Sequence, residues 1–200
     1  MYLYGASGHA KVIIDIITAN DLKLDALYDD NENLVDLLGF PIIKPDNITT
    51  TTKLIISIGD NKIRRKIVDS ITADYISLCH PSAIISPNST IDVGSVVMQG
   101  AVIQSDAKVG KHSIINTSCS IDHECNIGNF VHISPNSTLC GNVSIKEGTW
   151  IGAGSVILPG VTIGKWCVIG AGSVVAKDIP DYSLASGNRC KILKQINIGL

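Results

Sequence analysis

The sequence predicts two fold classes joined in one chain. An α/β, Rossmann-like domain is expected over residues 1–80, an all-β parallel solenoid over 81–180, and a tail over 181–200. Two observations carry this. The first eighty residues alternate short apolar strand patterns with helical segments and glycine turns, as in a small parallel sheet flanked by helices. From Ile85 an aliphatic residue then recurs at every sixth position through Ile169, fifteen times without a break.

In the front domain Tyr2-Leu3-Tyr4 reads as a strand and Gly5-Ala6-Ser7-Gly8-His9 as a turn entering an amphipathic helix from about Ala10 to Ala19. A second strand, Ala26 to Tyr28, ends at Asp29-Asp30. A third, Leu54 to Ile58, is closed by Gly59-Asp60-Asn61. A helix bearing Arg64, Arg65 and Lys66 and a strand near Tyr75 to Leu78 complete the unit. Ligands bind such sheets at the carboxyl ends of the strands, where Ser7-Gly8-His9, Asp29-Asp30 and Gly59 fall. A glycine turn entering a helix exposes N–H groups to an anion, and a carboxylate after the second strand can accept hydrogen bonds from a ribose or a base edge.

The period of six fits neither a helix nor a flat strand. It fits a coil with three flat sides, one hexad to a side. The aliphatic residue fills the interior. Four positions later a small residue, from Ser89 and Ser95 to Cys167 and Ser173, lets the wall turn. Three hexads make a coil, so fifteen predict five coils, a prism about 24 Å tall at the ~4.8 Å spacing of paired strands.

Hydrophobic content of 45% with only 4% aromatic suits a core of Ile and Val. A net charge of −2 without a basic stripe argues against nucleic acid as a partner. No apolar run approaches the roughly 18 residues of a membrane span, Val12–Ile17 being broken by Asp15, and the start lacks signal-peptide character. Of six cysteines, Cys119, Cys125 and Cys167 occupy the small-residue register, and Cys79, Cys140 and Cys190 show no CxxC spacing. No disulfide and no metal is therefore expected, and free thiols fit a cytoplasmic location.

Chemistry should sit where the repeat carries residues its architecture does not need. His123 stands at a non-inward position in Ile121-Asp122-His123-Glu124-Cys125. Adjacent carboxylates favour imidazolium and so favour a general base. Gly141 lies 18 residues on, one coil, and should stack beside His123, where its N–H can meet a developing oxyanion. Ala153 and Ala171, also 18 apart, share a wall line. His112 reads as a plain surface residue.

The repeat resembles the hexapeptide-repeat acyltransferases, and the resemblance implies a left-handed parallel β-helix, although the general rule for parallel crossovers favours the right-handed form. Tyr4-Gly5-Ala6-Ser7-Gly8-His9, His80-Pro81-Ser82-Ala83, Asn116-Thr117-Ser118, Ile121–Cys125 and Phe130-Val131-His132 are together similar to the PglD type, which N-acetylates UDP-4-amino sugars. The sialic-acid O-acetyltransferases of the NeuD type share the layout. The tail departs from the pattern, reading Gly187-Asn188-Arg189-Cys190-Lys191 without the expected proline. The charges of Arg189, Lys191 and Lys194 there could equally meet CoA phosphates or solvent.

The resemblance implies a nucleotide-sugar site at Ser7, Gly8, His9, Asp29, Asp30, Gly59 and Asn116. It implies His123 as base with Glu124 orienting it, His132 and Gly141 against acetyl-CoA, and Ala153 and Ala171 along the pantetheine arm. It further implies a homotrimer with three inter-subunit sites and no metal. The alternatives are O-acetylation of sialic acid or a related sugar, a zinc enzyme of the γ-carbonic-anhydrase kind using three histidines, and a non-catalytic nucleotide-sugar-binding protein. Whether the carrier is UDP, GDP or dTDP stays open.

Overall fold

The computed structural model describes residues 1–196. The front sheet is built from β1 (Tyr2–Tyr4), β2 (Ala26–Tyr28), β3 (Asp36–Leu37), β4 (Phe40–Ile43), β5 (Lys53–Ile56) and β6 (Asp74–Tyr75) in the order β3-β4-β2-β1-β5-β6. Every pairing is parallel except the β3–β4 hairpin. Because β2, β1 and β5 are parallel neighbours, the loops after them emerge side by side at one edge. Helix α1 (Gly8–Ala19) follows β1 and helix α2 (Asn61–Ser70) follows β5.

Two front-domain expectations need correction. The strand expected at Tyr75 to Leu78 is split, Asp74–Tyr75 closing the front sheet and Leu78–Cys79 opening the solenoid by pairing with Val96–Val97. The β3–β4 hairpin was not expected. Its turn places Leu38 and Gly39 at φ 54° and 84°, the left-handed pair that suits a two-residue hairpin.

The second part is a left-handed parallel β-helix with three faces. The first runs from Leu78–Cys79 to Ser183–Ser186, the second from Ile84–Ile85 to Val174–Val175, the third from Thr90–Ile91 to Thr162–Ile163. Register is held at 18 residues, as in Val97, Ile115, Ile133, Ile151 and Ile169. The ladder continues past the expected five coils, through Leu78–Cys79 at one end and the pairing of Ile169 with Ala185 at the other. The tail returns on the first face as an antiparallel hairpin of Ser183–Ser186 with Lys191–Gln195, and Arg189, Lys191 and Lys194 are exposed.

Interior aliphatics and the small register form one buried cluster that takes in Cys119, Cys125 and Cys167 as free thiols. The small residues do more than make room. Ser113, Ser137, Thr149 and Ser155 each donate a hydroxyl hydrogen bond to the carbonyl 15 residues on, at 2.6–3.1 Å, satisfying acceptors that the corner would otherwise bury unpaired. Each corner also holds one left-handed residue, recurring every sixth position from Gly94 to Gly172 and including His112, Glu124 and Phe130.

Helix α1 joins the two parts. Its buried Ala10, Ile13, Ile14, Ile16 and Ile17 share a cluster with Leu3, Leu27 and Ile55 of the front sheet and with Leu78, Val96, Met98 and Ile114 of the first solenoid face. Burying an Ile side chain is worth about 1.5–3 kcal/mol, so this shared core fixes the front domain on the prism. Among the described residues no helix is long and apolar enough to cross a membrane.

Candidate active site

Beyond the part of the first face covered by α1, the outward positions are His132, Trp150 and Val168. With Asn116, Ser134, Pro135, Gly152, Ala153, Gly170 and Ala171 they line a groove of about 490 Å³ at the corner between the first and second faces. Pro135, Ala153 and Ala171 lie at successive 18-residue steps, so small side chains keep the groove open along the axis.

His132 is buried at the foot of this groove. Its Nδ1 faces the Gly59 carbonyl at 3.3 Å and its Nε2 the Asn116 amide nitrogen at 3.1 Å. A carbonyl can only accept, so Nδ1 carries the proton and Nε2 accepts from Asn116. The Asn116 Oδ1 in turn accepts from the Thr117 N–H at 2.8 Å. Desolvation first, then the nearby Arg64 charge, pushes the His132 pKa down to about 3. The Trp150 indole stacks on the imidazole, centroids 5.7 Å apart and planes within 7°, while its Nε1 donates to Ser134 Oγ at 2.7 Å.

The strand-end loops arrive from the other side. His9, in the first turn of α1, lies 6.4 Å from the His132 ring, and its buried Nε2 has no partner among the described residues. Burial, with Arg64 adding to it, lowers its pKa to about 4. Ser7 and Gly8 are exposed, and Ser7 makes no side-chain cap bond, which leaves the first N–H groups of α1 open to a ligand. Asp29 accepts from Ala6 N–H at 2.8 Å and Asn31 N–H at 2.9 Å, so it also holds the glycine turn. Asp30 accepts from the Tyr4 hydroxyl at 2.9 Å; burial and this bond raise the Tyr4 pKa to about 12.

A second cluster occupies the corner between the second and third faces. His123 Nδ1 meets Glu124 Oε2 at 3.0 Å, both side chains more than half exposed. Glu124 takes the left-handed corner position, φ 61°, which turns its carboxylate back toward the imidazole. With Nδ1 engaged, Nε2 is the free nitrogen, and a Cβ placed on Gly141 would stand 2.6 Å from it. Gly141 is therefore packed against His123, as the 18-residue step requires. The same register holds Pro87 and Pro159, so the fold has no use for an N–H there, and the Gly141 N–H makes no hydrogen bond among the described residues.

The structure thus brings Gly59, His9, Asn116, His132, Ala153 and Ala171 together and sets His123, Glu124 and Gly141 apart, across the second face of the same prism. His112 is not a surface residue. It is 4% exposed, stacked on Phe130 at 5.3 Å and edge-on to Tyr75 at 4.7 Å, and burial lowers its pKa to about 4. Among the described residues no three His, Cys, Asp or Glu side chains gather as metal ligands. Sequence reasoning missed Trp150, Ser134, Asn61 and Arg64. Trp150 had a signal, an aromatic at an outward position of a nearly ring-free solenoid.

Residues 1–71 match the PglD N-terminal domain, and residues 142–177 match the bacterial transferase hexapeptide of six repeats. PerB from Caulobacter crescentus, solved with CoA and GDP-perosamine, is 35% identical with a TM-score of 0.90, covering 96% of each chain. The acetyltransferase domain of PglB from Neisseria gonorrhoeae FA1090, solved with acetyl coenzyme A, is 34% identical with a TM-score of 0.90, over 96% of this chain and 98% of that one. A UDP-N-acetylbacillosamine N-acetyltransferase of Bacillus subtilis is 38% identical over 110 residues, a match spanning 48% of this chain and about half, 50%, of that relative. With both halves of its fold and its full-length likenesses in agreement, the chain belongs to the PglD family of hexapeptide-repeat sugar acyltransferases.

Proposed function

We propose that the protein transfers an acetyl group from acetyl-CoA to the amine of a nucleotide-linked amino sugar, of the UDP-4-amino-4,6-dideoxy class. The observation that carries this reading is the corner where a Glu124-held imidazole, with Nε2 free, abuts a backbone N–H that the fold leaves unused. A base and an oxyanion donor side by side are what acyl transfer requires. His123 Nε2 takes the proton of the attacking amine. The nitrogen bonds to the thioester carbon, negative charge collects on the oxygen toward the Gly141 N–H, and the C–S bond breaks. The thiolate then takes the proton from the imidazolium, giving amide and free CoA.

The nucleotide sugar belongs at the strand-end loops, with Ser7, Gly8, His9, Asp29, Asp30 and Gly59, and reaches toward Asn116. The CoA arm belongs in the Ala153–Ala171 groove with His132. Of the relatives named above, one is named for a UDP sugar and another is solved with a GDP sugar, which supports a nucleoside diphosphate; UDP follows the family resemblance, and the assay below separates it from GDP and dTDP.

Groove and base lie on different edges of one prism, separated by a hexad of extended chain, about 20 Å. Direct transfer needs reacting atoms within about 3–3.5 Å. A second copy closes the gap if the second faces turn inward about a threefold axis, which sets one copy's His123 edge beside its neighbour's groove. Face chemistry supports this arrangement. The second face presents Ile84, 67% exposed, with Val102, Val156 and Val174 around Ser120 and Thr138, whereas the third presents no aliphatic but Thr90, Lys108, Asn126, Ser144 and Thr162. A homotrimer with three inter-subunit sites follows, and six free thiols fit a cytoplasmic setting.

The test is thiol release from acetyl-CoA against UDP-, GDP- and dTDP-linked 4-amino sugars and free sialic acid. Turnover of one amino sugar, reduced about 10²–10⁴-fold in His123→Ala, is expected. A fully active His123→Ala protein would end the reading, and turnover of sialic acid alone would move the acceptor from amine to hydroxyl.

A further inference from the structure

Arg64 is 1% exposed and has no carboxylate partner among its hydrogen bonds. Its guanidinium spends itself on backbone. Nε donates to the His112 carbonyl at 2.8 Å and Nη2 to the Phe130 carbonyl at 3.2 Å, both on solenoid corners. Nη1 donates to the Ile58 and Gly59 carbonyls at 2.9 and 3.2 Å, in the loop after β5. Nη2 also reaches Asn61 Oδ1 at 2.7 Å, and the Asn61 amide donates to the Gly148 carbonyl at 3.1 Å. One fork therefore ties the loop to two coils. Burying a cation without a carboxylate hydrogen-bond partner is costly, and Asp60 offsets that cost through its charge alone.

The Gly59 carbonyl is where the fork meets the groove, because it also accepts from His132 Nδ1. The geometry points to Arg64 as a positioning residue that acts through the Gly59 carbonyl to hold His132 in the Nδ1-protonated neutral form, with Nε2 turned to Asn116 at the foot of the acyl-carrier groove. The functional part of this inference rests on the acetyl-transfer reading; the tautomer does not.

The titratable groups facing His132 are His9 from α1 and Arg64 from α2, while its neighbours Asn116 and Trp150 on the solenoid carry no charge. Asp60, at the start of α2, is occupied by the Lys62 and Ile63 N–H groups. The Arg64 charge therefore reinforces the desolvation that keeps His132 neutral.

Histidine ¹⁵N spectra of the wild-type protein come first. His132 should show a protonated Nδ1 and a bare Nε2 down to pH 5. Arg64→Lys keeps the charge and loses the fork, so its kcat should fall about tenfold with KM for both substrates within about twofold and the acid limb of the pH profile unmoved. Arg64→Met loses both, so the pH at which the His132 ¹⁵N shifts titrate should also move up by about one unit. A protonated Nε2 in the wild type overturns the proposal, as does an Arg64→Met enzyme with wild-type kcat and an unmoved His132 titration. If no acetyl acceptor is found, the ¹⁵N spectra of the Arg64 variants carry the test without turnover, and an Arg64→Met protein with the wild-type tautomer and titration of His132 overturns the proposal.

Discussion

Replacing Gly141 with alanine adds one methyl group against the proposed base. The new Cβ would stand 2.6 Å from His123 Cε1 and Nε2. Ordinary carbon contacts begin near 3.5 Å, so the imidazole must retreat by about 1 Å. It is free to do so, because the His123 side chain is 59% exposed. The backbone does not object, since Gly141 is absent from the positive-φ positions, and a tolerated glycine-to-alanine change stabilises by about 0.4–1 kcal/mol. The substitution therefore separates chemistry from folding. A 1 Å displacement of a reacting group costs about 10²-fold, so kcat for thiol release should fall about a hundredfold. KM for acetyl-CoA should stay within about twofold and Tm should hold or rise. A Gly141→Ala enzyme with kcat within about threefold of wild type refutes the placement of the base. A collapsed Tm would mean that Gly141 serves packing alone.

Three further outcomes are expected. Glu124→Gly relieves a left-handed non-glycine corner costing about 1–2 kcal/mol, so Tm should rise while kcat falls; a loss of both would show that the carboxylate stabilises the fold. The folded-state pKa values of His9, His112 and His132, about 4, 4 and 3, lie below the ordinary 6.5, so the unfolded chain binds more protons between these values. Stability should thus be full above pH 6.5 and fall as pH drops toward 4, and His112→Phe, which also removes an unpartnered buried nitrogen, should blunt the loss in a Tm-against-pH series. Val102→Glu on the second face should dissociate the assembly in light scattering and abolish turnover while leaving the monomer folded; an active Val102→Glu monomer would contradict the inter-subunit site.

The solenoid was legible because its rule is local and repeats: one aliphatic and one small residue per hexad leave no other shape. The groove was legible only in part. The 18-residue step aligned Ala153 with Ala171 and Gly141 with His123, since both alignments are consequences of the repeat. His112 was misjudged although Phe130, one coil on, stacks on it in register, because the rest of its cover comes from Tyr75 of another domain, which no periodicity inside the solenoid records. Arg64 was illegible for a related reason. In Arg64-Arg65-Lys66 nothing sets one cation apart from the next, and only the docking of α2 separates the buried Arg64 from Arg65, which pairs with Glu147 at 3.0 Å.

The 18-residue ladder makes height along the prism a counted quantity. Each coil advances the chain by one strand spacing, about 4.8 Å, and the corner hydroxyl bonds admit no fractional step. The front domain is docked along several coils, from Leu78 and Val96 through the His112 and Phe130 carbonyls to Glu147 and Gly148, so the vertical offset between its strand-end loops and any residue of the prism is fixed by how many coils intervene. Inserting one whole coil between Ile115 and His123 would lift the imidazole by that increment, but it would also part the His112 and Phe130 carbonyls that Arg64 holds together and carry His132 away from Gly59. Reach can thus change in whole units of eighteen residues, as in a ratchet, and only where the contacts of α2 are rebuilt in step with the added coil.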